Sequence, residues 1–167
     1  MQVVEDLFEL SGIGRDRMKL CWVSAAEGQL FAEYVTQFTE LTRELGPFDP
    51  EKFKVPLAAV EKVLDSARIR WLLGLTVQLT EQGNVYNEKL NEEEYRELLR
   101  QATEEEYEKG LIAEAMKEGP CSVREIAGKI ALPIYTVSLR LNELERHGQA
   151  ELSGYDGTTP KFICSGA

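Results

Sequence analysis

The feature that most constrains this chain is a single extended apolar run set between two helical patterns. Lys19-Leu-Cys-Trp-Val23 reads as a strand. Before it, Val3, Val4, Leu7, Phe8 and Leu10 recur at helical spacing, and Gly12-Ile-Gly14 breaks them. After it, Ser24-Ala-Ala-Glu27 has capping-box spacing and predicts a helix start. The helix that follows aligns Leu30, Phe31, Tyr34, Val35, Phe38, Leu41 and Leu45 on one face and stops at Gly46-Pro47. No other convincing strand precedes residue 149. A lone strand cannot satisfy its own amides and carbonyls. Residues 1–50 therefore read as an incomplete α/β segment whose remaining strands come from a partner chain, a second copy or an upstream portion.

Residues 51–109 read as a helical linker region. From Pro56 a long apolar pattern carries Leu57, Val60, Leu64, Ala67, Trp71, Leu72, Leu75 and Leu79, ending near Gly83-Asn-Val-Tyr86. Asn91 can cap the next helix, and Glu92, Glu93 and Glu94 suit its positive N-terminal end.

Residues 110–167 form the clearest module. A helix through Leu111, Ile112, Ala115 and Met116 ends at Gly119-Pro120. Ser122-Val-Arg-Glu125 is a second capping box opening a short helix, and Ala131-Leu-Pro133 turns into a third helix that reaches His147. Two strands, Ala150–Ser153 and Lys161–Cys164, flank a loop rich in Gly and Asp. Three helices with a hairpin predict a winged helix-turn-helix. The expected fold class is mostly α (α+β).

Charge and composition narrow the function. The net charge is −10, with the acidity concentrated before residue 110. Residues 110–167 carry six basic and seven acidic groups, short of the cationic footprint of a nucleic-acid binder. On the third helix of the module, Tyr135, Leu139, Asn142 and Arg146 face outward and suit protein docking. Trp22 and Trp71 join them as expected docking residues. Thr136, Ser138, Arg140 and Arg146 would serve the alternative, a transcriptional regulator reading DNA through this helix. Leu139 and Glu143 on the presented face weigh against that alternative.

No catalytic constellation is legible. The three cysteines, Cys21, Cys121 and Cys164, are widely spaced with no Cys-x-x-Cys pair, and the ordinary reading is three small buried side chains. Cys121 precedes a helix N-terminus, where a thiol can be activated. His147 is the one histidine, so no metal site is expected. The start lacks signal-peptide character, and no run of about 18 apolar residues occurs, so a cytoplasmic location off the membrane is expected.

Two stretches bring in a resemblance. Gly12 through Gly28, with Phe31-Ala-Glu33 and the helix to Gly46-Pro47, resembles the C-terminal end of the delta subunit of methyl-viologen-reducing hydrogenase. Arg70-Trp-Leu-Leu-Gly74 through Gln82-Gly-Asn-Val-Tyr86 is similar to an extension that some members carry before a winged helix. The resemblance implies a flavodoxin-like fold and an electron-transfer adaptor linking a hydrogenase or formate dehydrogenase to a heterodisulfide-reductase-type complex in anaerobes. The family's iron–sulfur cysteines lie in an N-terminal part that this chain does not match, so no cofactor is expected here. The expected function is a non-catalytic accessory or docking part of such a complex. Its expected partners are the complex's other subunits, with homodimerisation open, DNA disfavoured and no membrane.

Overall fold

The computed structural model describes residues 2–83 and 85–165; Asn84, within the expected helix stop, lies outside them. The chain divides into two compact units, 1–54 and 55–167.

The first unit opens with α1 (Gln2–Leu10), whose Val3 and Leu7 are buried. Gly12 and Gly14, at φ +71° and +89°, turn the chain into a single 3-10 turn at Arg15–Arg17. Positive φ is open to glycine at little cost, which is why this break falls on Gly-Ile-Gly. Residues 18–24 then run without regular structure into α2 (Gly28–Leu45). The strand expected at 19–23 does not form, because no other strand lies beside it among the described residues. The capping box at Ser24 is also corrected. Glu27 does reach back to the Ser24 amide (2.8 Å), and the Glu27 amide donates to the Ser24 carbonyl (2.9 Å). These bonds close a turn, and the helix begins one turn later, with Glu27 as its N-cap. Arg17 donates to the carbonyls of Leu45 (3.0 Å) and Gly46 (3.2 Å), satisfying orphan acceptors at the C-terminus of α2.

The second unit begins with α3 (Lys54–Leu64) and α4 (Ala67–Gly74), followed by a π-helical turn at Gln78–Gln82. The single helix expected from Pro56 to Gln82 is thus broken. Ser66 leaves helical geometry and its side chain accepts from the Ile69 amide, starting a new helix. The break lets Ser66 also donate to Glu106 (3.0 Å) on α5 (Glu92–Met116). Tyr95 donates to the Leu72 carbonyl (3.1 Å) and shares a 2.7 Å hydrogen bond with Thr76. Asn91 and Glu94 form a full capping box at the start of α5.

α5 runs unbroken for 25 residues, joining what the sequence reads as two helices. The expected division between residues 109 and 110 falls inside it. Gly110 explains why: an added Cβ would lie 3.0 Å from Ala59 Cα, so α3 and α5 touch backbone to backbone there. Packing keeps the helix running through a residue that on its own disfavours helix.

After α5, Ser122 opens α6 (Val123–Ile130) with the box that the spacing predicts, its hydroxyl accepting from the Glu125 amide and its own amide donating to the Glu125 carboxylate. Ser122→Ala is expected to lower thermal stability by about 1 kcal/mol, the usual worth of such a cap. Ala131 takes a left-handed conformation (φ 55°) and turns the chain into α7 (Ile134–Arg146). β1 (Ala150–Asp156) and β2 (Thr159–Cys164) pair antiparallel, with a bulge between Leu152 and Gly154. They are longer than expected: Gly157, at φ 62°, allows a two-residue turn, so Tyr155-Asp156 and Thr159-Pro160 join the ladder. A further bridge pairs Cys121 with Phe162. Ile112, Met116, Ile126, Val137, Leu141, Leu144 and Ala150 are buried in one core beneath these elements. Among the described residues the fold is mostly helical with one small sheet.

Candidate docking surfaces

α7 presents two faces of opposite character. Val137, Leu141 and Leu144 recur at three and four and are buried against α5 and α6. The opposite side carries Ile134, Tyr135, Ser138, Leu139, Asn142 and Arg146, all exposed; Tyr135 is 77% exposed and Leu139 41%. Four expected docking residues, Tyr135, Leu139, Asn142 and Arg146, therefore share one outward stripe. Trp71 sits instead on α4, 62% exposed. Trp22 belongs to the first unit and is 86% exposed.

Arg140 lies on the flank of α7, and its side chain keeps only 12% exposure. Its guanidinium binds Glu108 (2.7 Å) and Glu105 (3.3 Å) of α5 and Glu143 (2.8 Å) of its own helix. Burial alone would lower its pKa, but the three carboxylates outweigh that and raise it. Glu105 moves the other way. Burial would raise it, yet hydrogen bonds from Arg68 and Gln101 and the charge of Arg140 hold it below the ordinary carboxyl range. Sequence reasoning placed Arg140 among DNA contacts because only Arg140 and Arg146 charge this helix. The signal for this pairing is Glu105 and Glu108, three residues apart on one face of α5. Thr136 is half-buried and Ser138 exposed. Of the cations expected to meet phosphate, Arg146 alone is exposed.

Lys161 of β2 binds both oxygens of Glu125 (2.7 and 2.6 Å), tying the hairpin to α6. With the Ser122 amide and hydroxyl beside it, this contact holds the Glu125 carboxyl down to about 2. That tie is present above the ordinary carboxyl range and is lost only as the pH falls toward about 2. Lys161, like Arg140, is thereby occupied by carboxylate.

The cysteines do not assemble a metal site. Cys121 is buried, its thiol directed at the carbonyls of Ala115 (3.6 Å) and Gly119 (3.4 Å). Cys164 donates to the Ala113 carbonyl (3.4 Å), and burial pushes its thiol up. Cys21 lies in the first unit, half-buried. Among the described residues no group of three or more His, Cys, Asp or Glu could hold a metal, so these residues do not fit a cluster of four thiolates. His147 ends α7 with Nδ1 2.7 Å from the Glu143 carbonyl. No helix among the described residues is long and apolar enough to cross a membrane.

The family-model match falls within the first unit. Residues 1–46 match the sequence model of the methyl-viologen-reducing hydrogenase delta subunit. Over 41 residues, a quarter of this chain, the sequence is 46% identical to the iron-sulfur subunit of the F420-non-reducing hydrogenase of Archaeoglobus profundus. Over 51 residues, 30% of this chain, it is 33% identical to one subunit of the ferredoxin:CoB-CoM heterodisulfide reductase of Methanosarcina mazei. The matches span 30% and 6% of those relatives' own lengths. No solved structure matches the chain. The delta-subunit match ends at the C-terminus of α2, so the stripe on α7 lies outside it.

Proposed function

We propose that this chain is a non-catalytic accessory and docking component of a hydrogenase- or heterodisulfide-reductase-type electron-transfer complex. The observation that carries the reading is the delta-subunit match over residues 1–46, which falls on one compact unit. In this reading the chain holds no iron–sulfur cluster of its own, works in the cytoplasm and meets its partners through protein surfaces. The C-terminal three helices and hairpin act as a winged helix used for protein contact. The outward stripe of Tyr135, Leu139 and Asn142, closed by Arg146, has the aromatic and Arg composition favoured at interfaces. The test is co-elution of the full chain, from a native lysate of the organism that encodes it, with hydrogenase or heterodisulfide reductase subunits. Elution of the chain alone at every salt concentration would overturn the reading.

One observation favours a second reading, a DNA-binding regulator: α6 and α7 are joined by a tight turn and followed by a hairpin, the order of a winged DNA-binding module. The charge opposes it, because Arg140 and Lys161 are already paired with carboxylates. A protein that neutralises few phosphates binds duplex weakly. No gel shift of duplex DNA is expected even at low salt. A shift abolished by Arg146→Ala would transfer the assignment to the regulator.

A further inference from the structure

The first unit carries a backbone segment built like a strand but paired with nothing. Along 20–23 exposure alternates: Leu20 is 52% exposed and Trp22 86%, while Cys21 and Val23 are half-buried. That period of two belongs to extended chain with one side covered. The segment reaches α2 through Lys19, whose Nζ sits 5.2 Å from the centroid of the Tyr34 ring. Among the described residues, no N–H or C=O of residues 19–23 is hydrogen-bonded. Beside it, the 18 residues of α2 include no buried side chain, although Phe31, Val35, Phe38 and Leu41 recur along one stripe. An amphipathic helix beside an unpaired extended segment has the pattern of an α/β layer without further strands among the described residues.

We infer that the first unit binds a second polypeptide by strand addition. The partner lays an extended strand along Lys19–Val23 and covers Leu20 and Trp22 with an apolar surface. This rests on the reading of the chain as a docking component and names the chemistry of that dock. The occupant is a different polypeptide, of the kind that makes up the rest of the Archaeoglobus profundus iron-sulfur protein. The matched 41 residues are 30% of that relative, so most of its chain lies outside the segment. A second copy of this chain fits less well. Two copies would give a two-stranded ribbon, marginal by itself, with both outer edges still open. Main-chain bonds supply the affinity in strand addition, and alternate side chains supply the selectivity.

The probe is the portion of that Archaeoglobus profundus protein outside the 41-residue match, co-expressed with the full chain. The expected result is a one-to-one complex in which the amides of residues 19–23 exchange with deuterium at least ~100-fold more slowly than in the free chain. Trp22→Lys is expected to weaken that complex at least ~10-fold, since exposed aromatic anchors carry much of such binding. The same variant should leave the melting of the free chain unchanged, because Trp22 is 86% exposed. Three results would overturn the inference: no complex, a complex whose 19–23 amides exchange as in the free chain, or protection that arises from dimers of the chain alone. Co-elution with redox subunits while those amides stay unprotected removes the strand addition and leaves the proposed function standing. Slowed amides with the Archaeoglobus probe, but no redox subunit bound in lysate, does the reverse.

Discussion

Gly110→Leu is expected to destabilise the second unit by about 3 kcal/mol, at the upper end of what forced overpacking costs. An added Cβ at this position would stand 3.0 Å from Ala59 Cα and 3.1 Å from both its Cβ and its carbonyl oxygen. Two of those atoms belong to the α3 backbone and the Cβ is fixed directly to it, so none can turn aside as the end of a flexible side chain can. Ala59 and Gly110 are both buried, so the larger side chain has nowhere to go but between the helices. Gly110→Ala should cost far less. Its Cβ meets the same contact, but alanine gains about 1 kcal/mol of helix propensity over glycine, and the two effects offset. Chemical denaturation of the two variants beside the wild type separates the explanations. A Leu variant as stable as the Ala variant would show that α3 and α5 are not in contact at Gly110.

Arg140→Ala should cost about 2–3 kcal/mol, less than the ~3–5 kcal/mol of a fully buried ion pair because the carboxylates keep partial contact with water. Glu105 and Glu108 are 15% and 14% exposed, and Glu143 is 29% exposed. Removing one guanidinium leaves these acidic groups facing one another. At roughly 4 °C per kcal/mol, melting should fall by about 8–12 °C. The pH dependence carries the signature. Glu105 sits below its ordinary value of 4.5 when folded, so its contribution is present above that pH and is lost as the pH falls through the folded value. The gap between wild type and variant should therefore narrow on acidification below about pH 4.5. A gap independent of pH would assign the loss to packing of the arginine stem alone.

Both predictions concern contacts that composition does not announce. The sequence places the start of the C-terminal module at Gly110, because only neighbouring residues are read. In the fold it is the contact point of two helices. Arg140 reads as a free cation for the same reason, since its partners on α5 lie more than thirty residues away. The reading of Pro56–Gln82 as one helix failed at Ser66, whose hydroxyl both caps α4 and reaches Glu106. Periodicity alone carried through that residue, and a tertiary hydrogen bond stopped it. The division of α7 into a buried and an outward face, by contrast, was legible. Val137, Leu141 and Leu144 define the buried face by spacing, and Tyr135, Leu139, Asn142 and Arg146 follow as its opposite.

Local chemistry determined the parts of this protein: the capping boxes at Asn91 and Ser122, the glycine turn before Arg15, the amphipathic α2 and the hairpin around Gly157. Each depends on residues within a few positions of one another, so the linear order carries the information. Tertiary structure decided where α5 runs on, where α3 stops and which cations remain free. Those outcomes rest on atoms distant in sequence and close in space, where a 3.0 Å approach or a shared carboxylate outweighs propensity. The segment 19–23 shows the same division. Its residues suffice for an extended form, but a strand needs a neighbour's amides and carbonyls, and none of the described residues supplies them.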